Sequence, residues 1–152
     1  LCLLDNIVLP GFLAGLRPRP EVTARGKELM ERMGIAELAA SGVTEVSGGQ
    51  LQRAGICRAL INDPGIVFAD EPTGALNSAT ALQILDLLGE VHASGTTLVM
   101  VTHDAQVAAR ADRVLVLVDG RIEEDLRLGR YRETEAPARL VTVTEALQRR
   151  SV

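Results

Sequence analysis

Ile66-Val67-Phe68-Ala69-Asp70-Glu71-Pro72-Thr73-Gly74 is the stretch that decides how this chain folds. Four apolar residues run together and end in two carboxylates and a proline, the pattern of a buried parallel strand with polar residues at its carboxyl end. Working downstream, Asn77 or Ser78 caps a helix whose Leu82, Leu85, Leu88 and Val91 fall about three apart, and Ser94-Gly95 stops it. Residues 97–102 read as a second buried strand, followed by His103-Asp104 and a short helix through Arg110. Residues 114–118, the turn Asp119-Gly120 and residues 122–126 predict a β-hairpin. Strand, helix, strand, helix, strand predicts an α/β fold with a parallel sheet and crossover helices.

Upstream the period is helical. Residues 1–16 are apolar with Asp5 and Asn6 inside them, and Pro10-Gly11 is expected to interrupt any helix they form. Pro20 suits a first-turn position, Val22, Leu29, Met30 and Met33 recur at helical spacing, and Gly34 suits the left-handed residue after the helix. A short helical piece over residues 35–40 leads into a loop, and Ser47-Gly48-Gly49 opens a longer helix to about Ile61, ended by Asn62-Asp63-Pro64. In the tail from Arg127, Thr142-x-x-Glu145 reads as a capping box for a last short helix. The arginines Arg121, Arg127, Arg130, Arg132, Arg139, Arg149 and Arg150 are expected on a solvated face.

Composition narrows the function. The chain has 152 residues, 47% hydrophobic and 24% charged, the composition of one ordinary globular domain or most of one. Sixteen Lys and Arg against twenty Asp and Glu give a net charge of −4, which offers no general attraction to a polyanion. Only Phe12, Phe68 and Tyr131 are aromatic, too few for a base-stacking platform, so no nucleic-acid partner is expected. Cys2 and Cys57 read as reduced thiols, Cys57 as a small core hydrophobe. The longest uncharged run, residues 72–85, contains Pro, Gly, Asn and Ser, so nothing spans a bilayer and any membrane role is peripheral. The opening on Leu1 without a basic segment argues against a secretory leader, and its start inside an apolar run reads as a fragment.

Three places carry chemistry. Asp70-Glu71 at the end of an apolar strand projects into the crevice where α/β proteins bind ligands, although the two carboxylates serve equally well as turn caps before Pro72. His103 at the end of the next strand sends a second ionisable group to the same edge. An imidazole there donates to a terminal phosphate, while a carboxylate holds Mg²⁺ or orients water. Ser47-Gly48-Gly49-Gln50 at a helix start leaves backbone N–H groups open and aligned with the positive end of the helix dipole, a phosphate site, or else a simple serine cap.

Ser47-Gly48-Gly49-Gln50 followed by Gln52-Arg53 and Arg58-Ala59-Leu60, then residues 66–74, then Thr102-His103-Asp104, resembles the nucleotide-binding domain of ABC transporters in order and spacing. With the opening Leu4-Asp5-Asn6-Ile7-Val8-Leu9-Pro10, the likeness is greatest to ATPases paired with permeases for lipoprotein release and for macrolide or antimicrobial-peptide export. The resemblance covers about residues 1–126. It implies an α/β P-loop NTPase of ABC type with a parallel sheet and a helical subdomain, residues 1–45 being helical and 46–126 holding the motifs, with 127–152 a charged tail. It further implies that Ser47, Gly48 and Gly49, with Gln50, cap the γ-phosphate of ATP held by an opposite subunit. Asp70 matches the aspartate that anchors Mg²⁺ through its water shell, Glu71 the general base, and His103 the histidine that contacts the γ-phosphate. Asn77 stands where the family usually has an aspartate facing the partner subunit, and Val46 where it has leucine. The implied function is Mg²⁺-dependent ATP hydrolysis in a homodimer or paired domain, driving a membrane permease from the cytoplasmic face of the membrane.

The family's phosphate loop, adenine-stacking aromatic and Q-loop glutamine are not found in the 152 residues. A phosphate loop of the form Gly-x-x-x-x-Gly-Lys-Ser/Thr supplies close backbone approach and a lysine for the β and γ oxygens. Gly26-Lys27 is followed by Glu28 and preceded by Glu21 at the first glycine's place, so it does not match. The chain is therefore expected to be the carboxyl-terminal portion of such a domain and to bind ATP weakly by itself. Two other readings stay open: a non-transport ABC ATPase acting on DNA, which the acidic balance disfavours, and a catalytically incomplete binding module, which the missing loop favours.

Overall fold

The computed structural model describes residues 1–74 and 76–149, so the tail residue Arg150 lies outside them. The chain divides into two compact units, Leu1–Met100 and Val101–Val152.

The first unit is built from three helices and a strand–helix–strand. Helix α1 (Leu3–Ala14) starts on a reciprocal cap: Asp5 N–H donates to Cys2 Sγ at 3.5 Å and Cys2 N–H to Asp5 Oδ2 at 3.0 Å. It runs straight through Pro10 to end on Gly15 at φ +63°, contrary to the break expected at Pro10-Gly11. The lost hydrogen bond is outweighed by packing, because Leu3, Ile7, Val8 and Gly11 all turn into the core. Helix α2 (Arg19–Arg32) lies against α1 at two glycines. A Cβ at Gly26 would come 2.6 Å from Val8 Cγ1, and one at Gly11 would run into Val22. The expected helical piece after Gly34 is a single 3-10 turn, Ala36–Leu38. Helix α3 (Gly48–Leu60) faces both helices through Ala54, Cys57 and Leu60.

Strand β1 (Ile66–Asp70), helix α4 (Ser78–Ala93) and strand β2 (Thr97–Val101) complete this unit's order. The strands pair side by side, and Thr97 N–H donates to the Gly65 carbonyl at 2.9 Å, so their starts coincide and they run the same way. Val67, Leu98 and Met100 meet the common core of Leu3, Ile7, Met30, Ile35, Cys57, Ile61, Ile84 and Leu88. The other face is bare: Phe68 is 78% exposed and Ile66 55%. The continuous apolar run predicted a strand buried on both sides, whereas the described strands have a layer over one side only.

In the second unit, α5 (Ala105–Ala108) is followed by the hairpin of β3 (Arg113–Val118) and β4 (Arg121–Arg127). Asp119 and Gly120 are both left-handed, at φ +49° and +76°, as a tight hairpin turn demands. The element order suggested that β3 joins the parallel sheet; it pairs antiparallel with β4 and with no other described strand. After the 3-10 turn Glu133–Glu135 comes α6 (Ala136–Gln148). This helix is longer than expected, and Thr142 lies inside it, its hydroxyl donating to the Ala138 carbonyl at 3.1 Å, so Thr142 caps nothing.

Burial explains the earlier start, since the buried side of α6 runs from Arg139 through Val143 to Ala146. Arg139 thereby corrects the solvated-face expectation. It is 5% exposed and donates to five main-chain carbonyls: Ala109 and Ala111 at 3.3 Å, Leu128 at 2.8 Å, Gly129 at 2.5 Å and Arg130 at 2.9 Å. Its guanidinium also stacks over Tyr131, 5.5 Å from the ring centre.

Candidate functional site

Two turns of the first unit hold most of the motif residues. At the start of α3, Ser47 is an extended N-cap (φ −68°, ψ 160°). Gln50 N–H donates to Ser47 Oγ at 3.3 Å, and Ser47 N–H donates back to Gln50 Oε1 at 2.8 Å. This capping box fixes the turn, and it uses a lone pair of Ser47 Oγ while leaving the hydroxyl hydrogen to donate outward. Ser47 and Gly48 are exposed, and a Cβ added to Gly48 would meet nothing within 4 Å. The helix thus presents open N–H groups at its positive end. Val46, just before the cap, packs against the core as leucine would.

The second turn follows β1. Asp70 closes the strand and is exposed at its end, and Glu71 adopts φ +44°. A left-handed glutamate is uncommon and strained, and such residues cluster at functional sites. Its carbonyl accepts two hydrogen bonds, from Gly74 N–H at 3.1 Å and from the side-chain amide of Gln52 at 3.0 Å. Thr73 is buried beneath the turn, and the Leu76 N–H donates to its carbonyl at 3.1 Å. Asn77 then caps α4, its Oδ1 accepting from Thr80 N–H at 2.9 Å, which is the helix-cap role its residue type suggests.

Gln52 therefore joins the two turns. Sequence reading placed it in the motif without giving it a task, because the left-handed turn that brings the Glu71 carbonyl toward α3 has no signature in residue type. Its neighbour Arg53 reaches the other way, donating to the Met33 carbonyl at 2.8 Å and the Gly34 carbonyl at 3.3 Å, and so ties α3 to the end of α2.

His103 belongs to the second unit. It is exposed on the turn before α5, between Thr102, whose hydroxyl oxygen accepts from Asp104 N–H at 3.1 Å, and Asp104, which caps α5 through Gln106 N–H at 2.7 Å. Among the described residues no three His, Cys, Asp or Glu side chains gather as a metal cluster. Asp70 is an exposed carboxylate at the end of β1, a residue type that could hold a hydrated Mg²⁺. Among those residues, too, no helix is long and apolar enough to cross a membrane.

The model of the ABC transporter family matches residues 4–74. The macrolide export ATP-binding/permease protein MacB of Rhodospirillum rubrum is 46% identical over 121 residues, 80% of this chain and 18% of the relative. A MacB protein of Paracoccus denitrificans is 45% identical over 126 residues, 83% of this chain and 19% of the relative. This chain thus spans under a fifth of the length of either relative. Among solved structures, the dimeric MJ0796 bacterial ABC transporter cassette has a TM-score of 0.79 at 37% identity, over 86% of this chain and 58% of that one. The same cassette in a dimeric post-hydrolysis state bound to ADP and Pi has a TM-score of 0.78 at 36% identity, with the same coverage. Sequence motifs, element order and these likenesses agree: the chain belongs to the ATP-binding domains of ABC transporters, with their α/β P-loop NTPase fold.

Proposed function

We propose that these residues are the signature-bearing and base-bearing part of an ATPase cassette that drives an export permease. The observation that carries this reading is the strained Glu71 turn, held from α3 while Ser47 and Gly48 stand open at the same helix's start.

In this reading water attacks the γ-phosphorus, its proton passes to the Glu71 carboxylate, and the bond from phosphorus to the bridging oxygen breaks to release ADP. Glu71 is apt for the role because its backbone is fixed before the reaction. Asp70 would hold Mg²⁺ through water, and a bound ion would supply positive charge against the phosphate oxygens. For His103, on the turn before α5, the family resemblance implies a γ-phosphate contact. Ser47, Gly48 and Gly49, with Gln50 keeping the turn, cap the γ-phosphate of ATP bound mainly to a second cassette, so that two cassettes close on nucleotide. Asn77 is neutral where a charged aspartate is usual, which leaves it a helix cap that touches the second cassette by hydrogen bonding alone. The MacB relatives are named as ATP-binding/permease proteins, which supports a permease partner and a place at the inner membrane face.

The test is nucleotide-dependent dimerisation of the full-length gene product that carries these residues, measured by light scattering with Mg-ATP in a Glu71→Gln background. Dimers are expected there and lost on adding Gly49→Asp, whose carboxylate would face phosphate. Equal dimerisation with and without Gly49→Asp contradicts the capping role.

A further inference from the structure

We propose that Gln52 is a positioning residue for the hydrolysis reaction, holding the Glu71 peptide in the left-handed conformation that aims its carboxylate. The inference rests on the reading of Glu71 as general base.

Glutamate does not settle at φ +44° unaided, so something outside the turn must over-determine it. The Gly74 N–H that reaches the same carbonyl belongs to the turn itself and follows from its closure. Gln52 is a donor to this carbonyl from another element, nineteen residues earlier in the chain, at 3.0 Å. Its orientation is fixed by chemistry, because only the NH₂ end of an amide can face a carbonyl oxygen. The opposite end of that amide, Oε1, is buried with no hydrogen-bond partner among the described residues. An amide left half satisfied by burial is held for the bond its other end makes.

The donor is also preorganised. Arg53 fastens the adjacent position of α3 to the end of α2, and Ala54 and Cys57 anchor the helix in the core. Gln52 is therefore carried on a rigid element and presents its N–H group at one place. The start of α3, with the capping box of Ser47 and Gln50, and the peptide of Glu71 are joined by one helix turn and one hydrogen bond.

The test uses the full-length gene product with Gln52→Glu, which keeps shape but sets a carboxylate oxygen against the carbonyl, and Gln52→Ala, which removes the donor. Gln52→Lys restores a donor of similar reach. Because a displacement of 1 Å costs about 10²-fold in rate, kcat is expected to fall roughly 10- to 100-fold in the first two variants, with KM for ATP and the thermal midpoint close to the parent values. In Gln52→Lys most of kcat should return. Parent kcat in Gln52→Glu, whatever its midpoint, overturns the proposal, as does a raised KM with kcat unchanged, since either gives Gln52 a structural or binding role only. A Glu71→Gln control at the parent rate would remove the base assignment itself and the proposal with it, a result distinct from failure of the Gln52 variants alone.

Discussion

Ser47 and Gln50 cap each other, each giving its backbone N–H to the other's side-chain oxygen, at 2.8 Å and 3.3 Å. The helix uses a lone pair of the Ser47 hydroxyl, and its proton is left for the phosphate contact proposed above. The two roles separate by substitution. Aspartate caps as well as serine, so Ser47→Asp should melt within about 0.5 kcal/mol of the parent, while Ser47→Ala should cost about 0.5–2 kcal/mol. Nucleotide-dependent dimerisation should show another order, abolished by the charge of Ser47→Asp and only weakened in Ser47→Ala. Thermal melts and a sizing column read the two scales.

The cysteines should differ sharply in reactivity. Burial pushes the Cys57 thiol up to about 12, and the residue is 0% exposed, whereas Cys2 is partly exposed at the start of α1. At pH 8 only about 10⁻⁴ of Cys57 would be thiolate, and that fraction rises only as pH climbs toward the shifted value. A water-soluble aromatic disulfide should label Cys2 alone in the native 152-residue chain and both thiols after denaturation. Rapid native labelling of Cys57 would mean that α3 does not pack as described.

Arg139 should dominate the stability of the second unit. Truncation to Ala strips the donor from the buried Ala109 carbonyl, at about 1–3 kcal/mol, and from four partly buried carbonyls that water reaches more easily, and Arg139→Lys cannot replace the fork. We expect Arg139→Ala to lose at least about 3 kcal/mol, seen as faster hydrogen exchange in β3 and α6 with α1 and α2 unchanged.

How far the sequence foretold all this depends on whether a feature is local. Residue type alone located the Ser47 and Asn77 caps, the Asp119-Gly120 turn and the core place of Cys57, since each follows from a side chain's own geometry or hydrophobicity. Pro10 misled because its penalty is local while the compensating contacts of Gly11 and Gly26 come from another helix. Arg139 misled because five carbonyls from two separate loops converge on it, and no spacing in the sequence announces that. Asp70 and Glu71 were legible as a polar strand end; the left-handed peptide and its bond to Gln52 were not, because both arise from the way β1 meets α3.

The bare side of the two-stranded sheet predicts association. Ile66, Phe68 and Val99 are exposed there at 55%, 78% and 43%, and among the described strands β1 and β2 pair only with each other. The 152-residue chain should self-associate at micromolar concentration, and Phe68→Ser should shift it toward monomer. Sedimentation velocity of the two proteins checks this; identical, monomeric profiles would mean that the face is covered in solution.

In the proposed mechanism Glu71, fixed by its turn, takes the proton of the attacking water. Single-turnover hydrolysis of Mg-ATP by the full-length gene product, parent against Glu71→Gln, measures it without interference from product release. Loss of a general base predicts a rate lower by roughly 10²–10⁴-fold with nucleotide still bound. Hydrolysis at the parent rate would make Glu71 a structural turn residue and not the general base.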